Sequence, residues 1–335
     1  MDPKSIALVT GGAGFIGSHM VDLLLSKGFL VRVIDNLTSG RLQNLDQHKN
    51  NKNLEVEVLD IRNVKPDASN FKNVSCVFHF AGIGDIVPSI ERPSDYMDVN
   101  VQGTVKILEA CRHNKVKKLV YAASSSCYGL AETPTDEKAP ICPQYPYALS
   151  KYMGECACFH WHKVYGLPVN SIRIFNAYGT RSRTSGAYGS VIGVFLKQKL
   201  EEKPFTLVGD GTQTRDFVYA SDVAKAFLLA AETPLKGEVF NLGSGNPQSI
   251  NRLIELLKGK VIPIPKRPGE PDCTWANITK IQQTLKWTPS ISFDEGIGKI
   301  LANIEYWREA PLWDPESIKQ STKIWFDYLS NKVSV

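Results

Sequence analysis

Residues 6–18 read I-A-L-V-T-G-G-A-G-F-I-G-S, an apolar β-branched run that passes through glycines straight into a helical pattern, Phe15 to Lys27. Gly11, Gly14 and Gly17 stand in the spacing G-x-x-G-x-x-G. The first permits a tight turn, the second lets backbone N–H groups approach a pyrophosphate at the helix N-terminus, and the third permits close helix packing. Glycines alone would also suit a turn that binds nothing. Here the strand–turn–helix context is joined by an acid, Asp35, which closes the next apolar run, Leu30 to Asp35. A carboxylate there accepts from both hydroxyls of an adenosine ribose and repels a 2′-phosphate, so NAD is expected rather than NADP. The opposing feature is Arg41, whose guanidinium could serve a 2′-phosphate. The candidate cofactor contacts of this region are Gly11, Gly14, Phe15, Ile16, Gly17, Asp35 and Asn36.

Further runs of strand character are Leu54 to Asp60, Val74 to Ala81, Lys118 to Ser124 and Val169 to Asn176. Helical patterns lie between several of them, notably Tyr96 to His113 and Tyr147 to Tyr165. Strand and helix in alternation predict an α/β fold of Rossmann type, a doubly wound parallel sheet with ligands outside the carboxyl ends of its strands. Asp60 and Ile61, just past the third run, are placed to hold the adenine, and Ala81 and Gly82, past the fourth, to give the cofactor room along its ribose. After about Asn176 glycines, prolines and polar residues become frequent and the elements shorten. The division expected is a cofactor domain over residues 1–175 and a smaller α/β substrate domain over 176–335, interleaved with the first and ending in a helical tail from about 311.

With 335 residues, 43% hydrophobic and 22% charged, the composition is that of an ordinary globular enzyme. A net charge of +5 without a long basic run argues against nucleic acid and leaves anionic small ligands. No stretch approaches a membrane span, and the seven scattered cysteines suit reduced thiols better than disulfides or a metal site. A cytoplasmic protein without a metal is expected.

Two stretches carry the chemistry. Residues 122–129 read A-A-S-S-S-C-Y-G, and P-Y-A-L-S-K follows at 146–151. Tyr147 and Lys151 fall four apart on a predicted helix and so share a face. A phenol, with a pKa near ~10, is too weakly acidic to be a base at neutral pH unaided, but an ammonium neighbour and a cationic nicotinamide favour its phenolate. Tyr147 then takes the proton of a carbinol, Lys151 also orients the nicotinamide ribose, and Ser124 shares a hydrogen bond with the same oxygen. A solitary Y-x-x-x-K is usually a solvated helix face; its place after the fifth strand lifts this one.

With T-G-G-A-G-F-I-G, D-N-L at 35–37, H-F-A-G at 79–82, S-S-S-C-Y-G, Y-A-L-S-K, R-I-F-N-A-Y-G at 173–179, G-D-G-T-Q-T-R-D-F at 209–217 and R-P-G-E at 267–270, the chain resembles the extended short-chain dehydrogenase/reductase family. Within it the likeness is to nucleotide-sugar 4-epimerases and their dehydratase and decarboxylase relatives, over roughly residues 5–300. The resemblance implies that Ser124, Tyr147 and Lys151 are catalytic. It implies that Asn176 meets the substrate diphosphate, that Arg215 and Arg267 neutralise it, and that Arg183 lies over the nucleotide. It also implies a homodimer through the helices at 96–113 and 147–165, where Tyr152, Cys156 and Phe159 would form an apolar stripe.

The serines bear on the reaction. The family's 4,6-dehydratases resemble T-D-E-x-Y-G at this point and its decarboxylases usually show a glutamate where Ser126 stands. Ser125 and Ser126, candidate substrate contacts, cannot do acid–base work near neutrality. That points to the reaction needing no further acid, in which C4 is oxidised to a ketone, the sugar turns, and C4 is reduced from its other face. The runner-up is a dehydratase or decarboxylase with its acid elsewhere, such as Glu132 or Asp136; a non-catalytic NAD-binding regulator is more distant. Where galactose epimerases carry a lysine after F-A-G, this chain continues Ile83, Gly84, Asp85, and Thr274 stands where a tyrosine in some relatives blocks N-acetylated sugars. A UDP-hexose is expected, with N-acetylhexosamine or hexuronic acid ahead of galactose.

Overall fold

The computed structural model describes residues 4–182 and 189–330. The first six strands are β1 (Ile6–Thr10), β2 (Leu30–Asp35), β3 (Leu54–Val58), β4 (Val74–His79), β5 (Lys118–Ser124) and β6 (Val169–Ile174). Between them run α1 (Phe15–Ser26), α2 (Ile86–Glu91), α3 (Pro93–Tyr96), α4 (Gly103–His113) and α5 (Pro146–Tyr165). The later elements are β7 (Asn176–Tyr178), α6 (Val191–Leu200), β8 (Phe205–Val208), β9 (Thr214–Arg215), β10 (Phe217–Tyr219), α7 (Ala220–Glu232), β11 (Glu238–Leu242), β12 (Gln248–Ser249), α8 (Ile250–Leu257), β13 (Val261–Ile264), β14 (Cys273–Thr274), α9 (Thr279–Leu285), α10 (Phe293–Leu301) and α11 (Pro315–Leu329).

The main sheet has the order β11-β6-β5-β4-β1-β2-β3, and every pairing in it is parallel. Its strands read as continuous apolar runs because both faces are covered. One core includes Val9, Met20, Val33, Phe78, Phe227 and Phe240; the other includes Leu8, Phe71, Val77, Leu108 and Leu119. Strand order reverses between β1 and β4, which opens a crevice at their carboxyl ends. A third core, with Tyr178, Phe195, Phe205, Leu253 and Trp307, underlies the smaller lobe and its short sheets β7–β10, β8–β13 and β12–β9–β14.

Four elements differ from what periodicity predicts, each near the crevice. The run Val169 to Asn176 is two strands. At Phe175 the chain leaves the main sheet, its N–H donating to Leu242 O at 2.9 Å, and Asn176 N–H then donates to Asp216 O at 3.2 Å in the smaller lobe. The run Tyr96 to His113 is broken by a π-helical turn, Met97–Gln102, of the kind that accompanies functional sites. β3 and β4 each stop two residues early, because Asp60 caps a short turn and Phe80 begins the loop that meets the glycines.

Candidate active site

Apart from Arg183, which lies outside the described residues, and the alternative acids Glu132 and Asp136, every candidate site residue borders one cleft of about 960 Å³ at the strand ends. At its floor Gly11 has φ of +71° and donates its N–H to Ile34 O at 2.7 Å. A β-carbon there would stand 2.8 Å from Ala81 N, and one at Gly17 would stand 2.1 Å from Gly11 O. Helix α1 and the end of β4 therefore approach the turn more closely than any side chain allows, leaving a bare backbone cradle at a helix N-terminus. That cradle fits the pyrophosphate of a dinucleotide.

Asp35 closes β2 with its carboxylate held by Ala13 N–H at 3.0 Å and Leu37 N–H at 2.8 Å, while burial pushes its carboxyl above the usual carboxylate range. Asn36 donates to Asp60 at 2.9 Å, and Arg62 grips the same carboxylate through Nε at 3.0 Å, which holds it well below its ordinary value. Arg41 lies with its guanidinium 5.5 Å from the Tyr306 ring centre.

Behind the cradle runs a buried relay. Ala81 N–H donates to Thr10 Oγ1 at 3.2 Å, that hydroxyl meets His79 Nδ1 at 2.6 Å, and His79 Nε2 meets Thr104 Oγ1 at 3.0 Å. Thr104 in turn donates to Asn100 O at 2.7 Å. With each hydroxyl committed in that order, His79 is neutral and protonated on Nε2; burial lowers its pKa to about 3. Asn100, on the π-helical turn, accepts from Ile83 N–H at 2.9 Å and donates to Ser150 Oγ at 2.9 Å. The loop after β4 is thus tied to α5. Nothing in the apolar pattern signals Asn100 or His79, since each sits among residues that read as core.

Tyr147 and Lys151 do lie on one face of α5, the helix that Pro146 starts at its first turn. Ser124 Oγ is 2.8 Å from Ser126 Oγ and accepts from Ser126 N–H at 3.2 Å. Burial raises the Tyr147 phenol above its ordinary pKa, and hydrogen bonding to Ser124 opposes the rise. The Lys151 ammonium stands 4.5 Å from the Tyr121 ring centre, and burial brings its pKa down to about 8. Two groups whose ordinary values lie outside the neutral range are so placed that a charge brought into the cleft can decide their protonation. Asp85, quoted above without a role, borders the cleft and raises the Tyr147 pKa further. Glu132 and Asp136 are exposed and do not border it.

The smaller lobe supplies the far wall. Arg215 donates to Glu270 at 2.9 Å and Arg267 Nε donates to the same carboxylate at 2.9 Å. Thr274 Oγ1 donates to Asn176 Oδ1 at 2.7 Å, which fixes the amide within the smaller lobe. Glu270 was in the quoted R-P-G-E, but only the fold shows it bridging the two arginines. Tyr145 and Trp325 also border the cleft, and no spacing pointed to either.

A parallel sheet with a glycine cradle at its reversal point and a Ser–Tyr–Lys set beside it defines a dinucleotide-dependent enzyme of the short-chain dehydrogenase/reductase class. Residues 7–243 match the model of the NAD dependent epimerase/dehydratase family, and the chain belongs to that family. It is 36% identical over 305 residues to a UDP-glucuronate 4-epimerase of Thermodesulfobacterium geofontis, covering 87% of this chain and 93% of that one. The UDP-N-acetylglucosamine 4-epimerase of Methanobrevibacter ruminantium M1, solved with UDP-N-acetylmuramic acid, superposes with a TM-score of 0.84 at 31% identity, over 90% of this chain and 99% of that one. A UDP-glucuronic acid 4-epimerase of Bacillus cereus, solved with UDP-glucuronic acid and NAD, gives 0.84 at 32% identity over the same shares. Relatives named as a decarboxylase and as a 4,6-dehydratase match as well.

Proposed function

We propose that the chain inverts C4 of a UDP-hexose, an N-acetylhexosamine or hexuronic acid in preference to galactose, as an NAD-dependent 4-epimerase. The observation that carries this reading is the end of β5 and the turn after it, where Ser124, Ser125 and Ser126 border the same cleft as Tyr147 with no carboxylate among them. Bound NAD supplies a reversible hydride acceptor. The chain's residues do the rest. The glycine turn and Asp35 hold the dinucleotide, with Asp60, Ile61, Ala81 and Gly82 along its length. Tyr147 removes the proton of the C4 hydroxyl, helped by the Lys151 ammonium, and returns it to the ketone oxygen; Ser124 holds that oxygen in both directions. Arg215, Arg267 and Asn176 keep the diphosphate fixed while the hexose turns, so binding energy is concentrated away from the reacting carbon. Thr274, short and turned to Asn176, leaves space for a 2-acetamido group.

In this reading residues 1–175 carry NAD and 176–335 the nucleotide sugar, with β11 of the second segment lying at the edge of the main sheet. A homodimer would use α4 and α5, where Leu149 and Met153 stand exposed on one face. Asp85 is the one observation that favours 4,6-dehydration or decarboxylation instead, because it places a carboxylate near Tyr147. Incubation with a panel of UDP-hexoses, followed by proton NMR, decides. Interconversion of a C4 pair without NADH accumulation is expected; a keto-deoxy sugar or released carbon dioxide would establish the other reaction.

A further inference from the structure

Helix α11 starts at a capping box formed by Asp314 and Ser317 and buries Ile318, Thr322 and Trp325 along one face. The family match ends at residue 243, so it assigns nothing to this helix. Yet the helix packs against α2, and Trp325 borders the cleft. Its indole makes three contacts there. Nε1–H donates to Pro268 O at 2.8 Å, the Arg267 guanidinium carbon stands 5.4 Å from its ring centre, and Tyr145 lies 6.2 Å away, centre to centre. Tyr145 in turn stacks on the base, Tyr147, with ring centres 6.4 Å apart and planes 7° from parallel.

From this we infer that Trp325 is a positioning residue for the substrate diphosphate, holding Arg267 at a fixed distance from Tyr147; the inference rests on the nucleotide-sugar reading above. Arg267 is gripped on one side by the Glu270 carboxylate and on the other by a neutral indole face. These holds differ in kind. A diphosphate entering the cleft competes with Glu270 for the guanidinium, because both are anions. It does not compete with the ring, whose attraction for the cation comes from its quadrupole and brings no charge of its own. The hydrogen bond to Pro268 anchors the backbone next to the arginine, so side chain and main chain are held from one indole. Arg267 can therefore exchange its carboxylate for phosphate without losing its orientation, which lowers the ordering cost of binding. Through Tyr145 the same indole ties this clamp, carried by the smaller lobe, to the helix bearing the base.

The test is a calorimetric titration of the NAD-loaded protein with UDP, for the wild type, Trp325→Ala, Trp325→Phe, Arg267→Ala and the Arg267→Ala/Trp325→Ala double variant, with melting temperatures recorded alongside. Trp325→Ala should bind UDP about tenfold more weakly, and Trp325→Phe, which keeps a ring but loses the Pro268 bond, about threefold. In the Arg267→Ala background the second substitution should add less than twofold, since the two residues act as a unit. A purely structural role would lower the melting temperature while leaving UDP affinity unchanged, or give losses that add in full; either overturns the inference. Should Trp325→Ala not fold, the Trp325→Phe titration decides alone. A wild-type protein that binds no UDP sinks the substrate reading itself, whereas tight wild-type binding with unaffected variants sinks only the role of Trp325.

Discussion

The ammonium of Lys151 rests 4.5 Å from the centre of the Tyr121 ring, and the Tyr121 hydroxyl donates to the carbonyl of Lys151 itself at 3.1 Å. The cation is thus buried against a neutral ring that stabilises its charge without pairing it. Removing the ring removes support for the charged form, so the Lys151 pKa must fall. At about 1–2 kcal/mol for a desolvated cation–π contact, the shift is roughly one unit, from about 8 to about 7 in Tyr121→Leu. The alkaline limb of the turnover–pH profile should move down with it, while in Tyr121→Phe, which keeps the ring, it should stay in place.

In the proposed reaction Tyr147→Phe would remove the proton acceptor and leave the proposed diphosphate and dinucleotide contacts in place. Turnover should fall about 10²–10⁴-fold with UDP affinity changed less than about twofold, by steady-state kinetics and calorimetry. Comparable losses in both would place Tyr147 in binding instead.

Asp35→Asn tests the choice of dinucleotide. The carboxylate accepts from Ala13 and Leu37 N–H, and an amide oxygen can keep only one of those bonds while its NH₂ faces the other donor. NAD should bind about tenfold more weakly, and the preference over NADP should narrow because the charge that repels a 2′-phosphate is gone. Calorimetry with both dinucleotides reads the two effects separately.

His79 gives a pH dependence of stability. Its folded pKa, lowered to about 3 by burial, lies below the ordinary value of 6.5, so between those values the unfolded chain binds the extra proton. Stability from a neutral His79 is whole above pH 6.5 and is lost as pH falls toward 3, at about 1.4 kcal/mol per unit. His79→Asn should be less stable than the wild type at pH 7, and the gap should narrow by about 1.4 kcal/mol between pH 5.5 and 4.5 in urea unfolding.

Two glycines should answer oppositely to alanine. At Gly17 a β-carbon would lie 2.1 Å from Gly11 O, and Gly17→Ala should lose about 3 kcal/mol or more together with NAD binding. Gly298, inside α10, has nothing within 4 Å of the same atom, and Gly298→Ala should gain about 0.4–1 kcal/mol. Denaturant unfolding of both variants checks the contrast.

Sequence by itself determined the alternation of strand and helix, hence a parallel sheet with its ligands at one edge. It also determined the residues whose chemistry needs only a local arrangement. The glycine turn, Asp35 at a strand end and Tyr147 with Lys151 on one helix face all follow from spacings of a few residues, which backbone geometry converts directly into positions. Tertiary structure alone decided the rest. That His79 is a neutral link between Thr10 and Thr104, that the π-helical turn delivers Asn100 to Ile83 and Ser150, and that Glu270 bridges Arg215 and Arg267 depend on elements far apart in the chain. Trp325 is the clearest case. Its spacing from Ile318 and Thr322 says only that one helix face is buried, because an indole against a core and an indole against Arg267 and Tyr145 leave the same periodic trace. What distinguishes them is the surface the helix meets, and that is fixed by packing between segments distant in sequence.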